Sequence, residues 1–326
     1  MPTWSEILNE LKQGQTTHGP KIFDIVRRQY LAKLQQYTQR STIIYASGWI
    51  QKPKVPPEGL SITEEDVQGL MEVFHGLSSD SLDLILHSPG GSAEATEAMV
   101  SYIRSKFKDV RVIIPLQAMS AATMLACSAD KIVMGKHSFM GPIDPQVVLR
   151  TQLGLQAVPA QAVLDQFEIA KRDCQDPKLL GAWVPMLPQY GPALLIQCQE
   201  ALKLSKQLVT NWLDKYMYKN LLNHSEKAAA VATALADHAS FMTHARPIDR
   251  ESARNLGLDI TDLETDQTLQ DLVLSVFHAI SHTFQATNTV KIIENHKGRA
   301  FVRTIMPINA PIPMQPPQPP TTPTQP

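Results

Sequence analysis

Two short turns carry the residues of this sequence that are best suited to acyl-transfer chemistry. Ser-Pro-Gly-Gly (88–91) and Met-Ser-Ala-Ala (119–122) each follow an apolar run. Glycines allow the backbone to approach a ligand closely with N–H groups turned outward, and the first N–H groups of a helix have no partner within it. A serine hydroxyl beside such groups could attack a carbonyl carbon while they hold the oxyanion. This pattern predicts Ser120 as a nucleophile and Gly91 and Ala121 as oxyanion donors.

The same residues also have a simpler interpretation. Gly90, a further candidate donor, and Gly91 would then form only a tight turn between a strand and a helix, and Ser120 would only cap the helix that it precedes. The two turns together are more specific than either one, because parallel strands end side by side at the same edge of a sheet. The turns can therefore meet even though the chain between them is long.

Apolar runs alternate with helical patterns through the first half of the chain. We expect two helices within residues 1–40, strands at 41–50, 82–87, 110–115 and 131–134, and helices at 63–76, 93–107 and from 120 onward. Short apolar strands separated by helices predict an α/β protein with a mainly parallel sheet that helices flank on both faces. After 141–146 the pattern becomes helical, and 290–303 is compatible with either a strand or a helix.

The composition is that of a soluble globular protein. The 326 residues are 43% hydrophobic and 19% charged, with a net charge of −1, which gives no reason to expect nucleic acid as a partner. No apolar run reaches the roughly 18 residues that indicate a transmembrane segment, and the N-terminal residues lack the pattern of a signal peptide. The three cysteines have no metal-ligand spacing. We therefore expect a cytoplasmic protein without a metal or other cofactor.

The patterns divide the chain into three segments. Residues 1–40 are predicted to be an N-terminal helical extension, and 41–305 the main domain with extra C-terminal helices. Residues 306–326 consist mostly of proline, glutamine and threonine, and such a segment cannot bury enough apolar surface to fold. We expect it to be a disordered tail.

Several motifs together resemble those of the Clp-fold serine proteases. They are the two turns, Ala-Asp-Lys-Ile-Val-Met-Gly (129–135), Gly-Pro-Ile-Asp-Pro-Gln (141–146) and the segment 245–260, which is similar to the one that closes this fold. The chain looks most like the serine dehydrogenase proteinase (SDH) group, related to signal peptide peptidase A and the Clp proteolytic subunit. The resemblance covers about 41–150 strongly and 185–262 more weakly. It implies a Clp/crotonase-type spiral fold, a peptide or protein substrate, a homo-oligomer and the roles given above for Ser120, Gly91 and Ala121.

The general base is open between two candidates. Lys171 lies at the distance beyond Ser120 at which signal peptide peptidases carry a lysine base, and burial could keep it neutral; its simpler interpretation is a solvated lysine at a helix end. His244 precedes the closing segment, and Asp144 lies near the position where the Clp peptidase has its histidine. A triad of Ser120, His244 and Asp144 is therefore the second hypothesis, against a merely structural His244.

Two other functions remain possible on the sequence. A crotonase-like enzyme would use the same donors to stabilise a thioester enolate, with Glu94 and Glu97 as the nearby acidic groups and no role for Ser120. Alternatively, the fold would serve as an inactive oligomeric interaction scaffold. No phosphate-binding loop occurs, so any ATP dependence would need a separate partner, and a membrane-associated partner is possible.

Overall fold

A seven-stranded sheet forms the centre of the molecule. The structure, a computed structural model, describes residues 3–151 and 154–305. Its strands are β1 (Ser41–Ser47), β2 (Ser81–His87), β3 (Asp109–Ile114), β4 (Gln117–Ala118), β5 (Lys131–Met134), β6 (Phe139–Met140), β7 (Gln146–Thr151), β8 (Gly154–Pro159), β9 (Ile248–Asp249), β10 (Ile260–Asp262), β11 (Thr289–Asn295) and β12 (Ala300–Thr304). The strand order of the large sheet is β10-β5-β3-β2-β1-β11-β12.

Most of this sheet is parallel. Strands β10, β5, β3, β2 and β1 pair in parallel, whereas β11 and β12 add an antiparallel edge. Alternate residues face opposite sides of a strand, and on β1 both Ile43 and Ile44 are fully buried, each in a different core cluster. The predicted mainly parallel α/β sheet is confirmed, and the ambiguous segment 290–303 contains two strands.

Helices cover both faces of the sheet. They are α1 (Trp4–His18), α2 (Ile22–Thr38), α3 (Glu65–Phe74), α4 (Ala93–Lys106), α5 (Ala121–Cys127), α6 (Ala160–Asp173), α7 (Pro177–Trp183), α8 (Leu194–Trp212), α9 (His224–Ala236), α10 (His238–Phe241), α11 (Arg250–Asn255) and α12 (Gln267–Ala286). Helices α3, α4, α5, α8 and α9 share the larger core cluster, and α2 and α12 share the cluster on the other face. The finer spiral arrangement stays a prediction.

Two segments add to what the sequence indicated. Strands β7 and β8 form an antiparallel hairpin where we expected helix to follow Gln146; Val147, Leu149 and Val158 pack on α6 and α8, which explains why these residues adopt strand pairing. Helix α2 packs on α12, so the predicted extension 1–40 lies against the main domain. The division into three domains stays a prediction, and the tail 306–326 lies outside the described residues. Within 3–151 and 154–305, no helix is long and apolar enough to cross a membrane.

A small three-stranded sheet brings together segments that are far apart in the sequence. Its order is β4-β6-β9, with β4 and β6 parallel and β9 antiparallel to β6. Strand β4 ends two residues before Ser120, β6 ends shortly before Asp144, and β9 begins shortly after His244. This sheet therefore joins the segments that carry three of the candidate site residues.

Candidate active site

The two turns meet at the edge of the sheet, as their placement after neighbouring strands requires. Ser88 bridges to Ala118, with Ser88 N donating to Gln117 O at 3.1 Å and Met119 N to Ser88 O at 3.0 Å. A Cβ atom on Gly90 would lie 2.5 Å from Met119 O and 2.8 Å from Ala121 N. Only a glycine lets the turns approach this closely, so residue 90 must lack a side chain.

Ser120 has a strained backbone. Its φ of 52° and ψ of −122° lie outside the usual regions for a residue with a side chain, which costs on the order of 1–3 kcal/mol. Its hydroxyl does not cap α5, in contrast to Ser92, whose Oγ accepts a hydrogen bond from Ala95 N at 2.9 Å at the start of α4. The simpler interpretation of Ser120 as a helix cap is therefore wrong. A strained backbone at a serine whose hydroxyl does not cap the helix is typical of a functional position.

The N–H groups of the two turns have different surroundings. Among residues 3–151 and 154–305, neither Gly91 N nor Ala121 N donates a hydrogen bond to another group, and Gly91 is exposed. The N–H of Gly90 instead donates to Ser88 Oγ at 3.2 Å. Gly90 is therefore the least available of the three candidate donors, because its N–H already has an internal partner.

A cavity of about 450 Å³ lies in front of the turns. Its polar lining includes Ser120, Gly91, Ser92, Glu94 and His244, and its apolar lining is formed by Met124, Ile143, Val148, Ala157, Ala201 and Leu204. Such a cavity, mostly apolar with a few convergent polar groups, is typical of a substrate site. Four candidate site residues therefore line this cavity: the nucleophile Ser120, the oxyanion donors Gly91 and Ala121, and the base His244.

Asp144 connects two histidines at this cavity. Its Oδ1 lies 2.8 Å from His244 Nδ1, and its Oδ2 lies 3.0 Å from His238 Nδ1. The carboxyl group is 1% exposed. A carboxylate can only accept, so Nδ1 of His244 is the donor, and in the neutral imidazole Nε2 is then the acceptor. Ser120 and His244 thus line one cavity, and Asp144 binds His244.

The loop that carries Asp144 is fixed to the turn that carries Ser120. Gly141 N donates to Thr123 Oγ1 at 3.0 Å, and the same hydroxyl donates to Ala118 O at 2.8 Å. Ile143 N donates to Leu235 O at 3.0 Å. The position of the carboxylate therefore depends on the start of α5 and on the end of α9.

Lys171 does not line the cavity. It lies on the exposed side of α6, where Nζ pairs with Glu168 at 2.8 Å and the two side chains are 56% and 68% exposed. The structure therefore gives the first base hypothesis no geometric support. Of the acidic pair in the crotonase-like alternative, Glu94 lines the cavity and accepts from Ser92 Oγ at 2.9 Å, and Glu97 is exposed outside it.

Sequence reasoning missed His238, the second partner of Asp144. Its only signal was its position a few residues before His244, and a histidine pair in a helical region usually has no common partner. The described residues contain no group of three or more His, Cys, Asp and Glu side chains that could hold a metal ion. Cys127, the cysteine in α5, is a buried thiol whose pKa burial raises to about 12, so it is not a nucleophile.

Comparison with known proteins assigns residues 61–293 to a family described as ClpP-like SDH-type serine proteinase. Two relatives, the uncharacterized proteins MJ0137 and MJ1495 of Methanocaldococcus jannaschii, are 30% and 28% identical to the chain over 201 residues. These alignments cover 61% of this chain, and 60% and 59% of the two relatives. The chain thus spans about three fifths of the curated relatives that it matches. The family match includes both turns, Asp144 and both histidines.

Proposed function

Because the chain belongs to the family of ClpP-like SDH-type serine proteinases, we propose that it is a serine peptidase that forms an acyl-enzyme on Ser120. His244 is the general base and Asp144 its orienting carboxylate. Gly91 N–H and Ala121 N–H form the oxyanion hole. The observation that carries the proposal is the buried Asp144–His244 pair at the cavity that also contains the strained Ser120.

The proposed reaction has two halves. Ser120 Oγ attacks the carbonyl carbon of a peptide bond while His244 Nε2 takes the hydroxyl proton, and the two N–H groups stabilise the oxyanion. His244 then transfers that proton to the leaving amine, and the C–N bond breaks. Water, activated in the same way, hydrolyses the ester and restores Ser120. The apolar lining formed by residues such as Met124 and Leu204 favours an apolar substrate side chain next to the scissile bond.

Asp144 would hold His244 in the tautomer that this mechanism needs. Its second hydrogen bond, to His238, restrains the other carboxylate oxygen, so the group cannot turn away from His244. His238 is then a supporting residue and not the base. Assembly into a homo-oligomer, a cytoplasmic location and a protein or peptide as the physiological substrate also stay predictions; light scattering tests the first.

Covalent labelling with a fluorophosphonate tests the nucleophile and the base together. We expect the wild-type protein to be labelled on Ser120, the Ser120→Ala variant to be unlabelled, and His244→Ala to be labelled at least about a hundredfold more slowly, since a general base contributes about 10²–10⁴ in rate. His224→Ala is the matched control, because that histidine also pairs with an aspartate, Asp214, at 2.6 Å on the surface.

Two outcomes would contradict the proposal. Equal labelling of the Ser120→Ala variant would exclude Ser120 as the nucleophile. A folded wild-type protein that is not labelled at all would favour the crotonase-like or scaffold functions, and binding of an acyl-CoA would then distinguish these two.

A further inference from the structure

A buried ion pair lies behind the glycine turn, outside the cavity. Lys291 on β11 and Asp66 on α3 are each at most 1% exposed. Lys291 Nζ lies 2.8 Å from both oxygens of Asp66 and 2.7 Å from Ser61 O, so all three of its donors are used. A buried ion pair is often no more stabilising than a pair of apolar side chains of similar size. We therefore ask which neighbouring groups this ion pair positions.

Asp66 has two further partners. The Tyr45 hydroxyl donates to Asp66 Oδ2 at 2.7 Å, and Thr63 N donates to the same oxygen at 3.0 Å. Burial, followed by the charge of Asp66, raises the pKa of Tyr45 well above its usual value, so the phenol stays a neutral donor. Asp66 therefore binds the side chains of Tyr45 and Lys291 and also the backbone N–H of Thr63, next to Ile62.

The ion pair holds Ile62 from both sides. Lys291 binds the carbonyl of the preceding residue, Ser61, and Asp66 binds the N–H of the following residue, Thr63. Ile62 in turn pairs with the glycine turn, since its N–H donates to Gly90 O at 2.7 Å and its carbonyl accepts from Ser92 N at 3.1 Å.

This pairing determines where the Gly91 N–H points. The carbonyl of Gly90 and the N–H of Gly91 belong to one trans peptide, in which the two groups point in opposite directions. With the carbonyl bound to Ile62 N, the N–H of Gly91 points away from Ile62. A Cβ atom on Gly91 would lie 2.3 Å from Ile62 O, so the contact leaves little freedom to rotate this peptide.

The glycine turn also has an internal hydrogen bond, in which Ser88 Oγ accepts the N–H of Gly90 at 3.2 Å. Tyr45 reaches the turn through its hydrogen bond to Asp66, and Asp66 reaches it through Thr63 and Ile62.

We propose that Tyr45, Asp66 and Lys291 are positioning residues that aim the Gly91 N–H into the oxyanion hole. None of them lines the cavity, so they act through the backbone at 61–63 and 88–91. The inference rests on the proposed function, because it assigns these residues a role only if an oxyanion is formed at this turn.

The sharpest test is Tyr45→Phe, which removes one hydroxyl and keeps the buried ring. Saturation kinetics of fluorophosphonate labelling separate the maximal rate of reaction from the apparent dissociation constant. We expect the maximal rate to fall about tenfold, a part of the 10²–10³ that loss of a whole oxyanion donor costs, with the dissociation constant unchanged. The matched control is Tyr218→Phe, which also removes one hydroxyl from a buried tyrosine. The Tyr218 hydroxyl donates to Gly257 O at 2.8 Å, and neither residue lines the cavity. Labelling of this variant should equal that of wild type.

The double variant Asp66→Asn, Lys291→Met avoids an unpaired buried charge and tests the ion pair itself. We expect it to remain folded, as checked by urea unfolding, and to show the same selective loss of maximal rate. Wild-type rates in Tyr45→Phe and in the folded double variant would overturn the inference while leaving Ser120 as the proposed nucleophile. Absence of labelling in the wild-type protein would overturn the proposed function and this inference together.

Discussion

The glycine turn and His244 line one cavity, but different kinds of contact hold the turn and the pair of His238 and His244. The turn is fixed by backbone hydrogen bonds to Ile62 and by close approach to the Ser120 turn. The histidines are fixed by side-chain hydrogen bonds to Asp144, across 94 and 100 residues of sequence. One half of the site therefore depends on the absence of side-chain atoms, and the other depends on a single charge.

This difference predicts two kinds of sensitivity. The turn should not tolerate an added methyl group, since a Cβ atom has no space there. The histidine pair should tolerate small changes in volume but not the loss of the carboxylate, because Asp144 is the shared partner of both imidazole rings. The comparison would be contradicted if the turn tolerated an added methyl group, or if the histidine pair tolerated the loss of the carboxylate.

The largest combined effect on stability and labelling rate is expected for Gly91→Ala. Its new Cβ atom would lie 2.3 Å from Ile62 O and 2.5 Å from Ile62 N, at a φ of +153°. Strain of this kind should cost about 3 kcal/mol in the free energy of unfolding and displace an oxyanion donor, which lowers the labelling rate by about 10²–10³. Urea unfolding and fluorophosphonate labelling measure the two effects.

Gly181→Ala is the control for that substitution. Gly181 lies in α7, and nothing lies within 4 Å of a Cβ atom placed there. Alanine in a helix should stabilise the protein by about 0.5–1 kcal/mol relative to glycine, with unchanged labelling. Equal behaviour of the two variants would contradict the close-packed turn.

Asp144→Asn tests the half of the site that depends on charge. The amide is nearly the same size as the carboxylate, so packing should persist while the orientation and tautomer of His244 are lost. The labelling rate should fall about a thousandfold. Asp214→Asn, at the exposed pair with His224, should leave the rate unchanged, and a comparable loss there would indicate a general effect of charge.

His87 provides a histidine without a carboxylate for comparison. It lies at the end of β2, fully buried, with Nδ1 3.1 Å from Gln117 O, and burial lowers its pKa to about 4. The unfolded chain, with a histidine pKa near 6.5, binds the proton first as the pH falls. The stability contributed by the neutral ring is therefore lost between about pH 6.5 and 4, to a total of about 3 kcal/mol.

Urea unfolding at pH 7 and pH 4.5 in wild type and His87→Leu isolates this contribution. Leucine has no proton to bind, so the variant should lose less stability over that range. The other histidines whose pKa burial lowers, His282 and His296, are present in both proteins and cancel in the difference. An equal loss in both would show that His87 is not the group that titrates.

The smallest effect is expected for Lys171→Ala. Its exposed pair with Glu168 contributes about 0–1 kcal/mol, and the side chain lies outside the cavity. The labelling rate should stay within about twofold of wild type, whereas a large loss, as expected for a general base, would restore the lysine mechanism and contradict the assignment of His244.

The sequence by itself determined the strands β1, β2 and β3, the two turns after them and Ser120 as the candidate nucleophile. These features are local: apolar runs of strand length, glycines where a turn requires them, and a small-residue helix start can each be recognised within a dozen residues. The same locality left the hairpin β7–β8 unpredicted, because its strands alternate weakly and are partly exposed.

Only the tertiary structure decided which distant side chains join these turns. The small sheet β4-β6-β9 brings Asp144 and His244 to Ser120, and the pairing of β11 with β1 carries Lys291 to Asp66, 225 residues away. Lys171 had the sequence position of a possible base, and nothing near Asp66 indicated its distant partner, because neither burial nor partners across the sheet are encoded in nearby residues. Which polar groups lose water on folding depends on the packing of the whole chain, and that packing selects the partners of the serine.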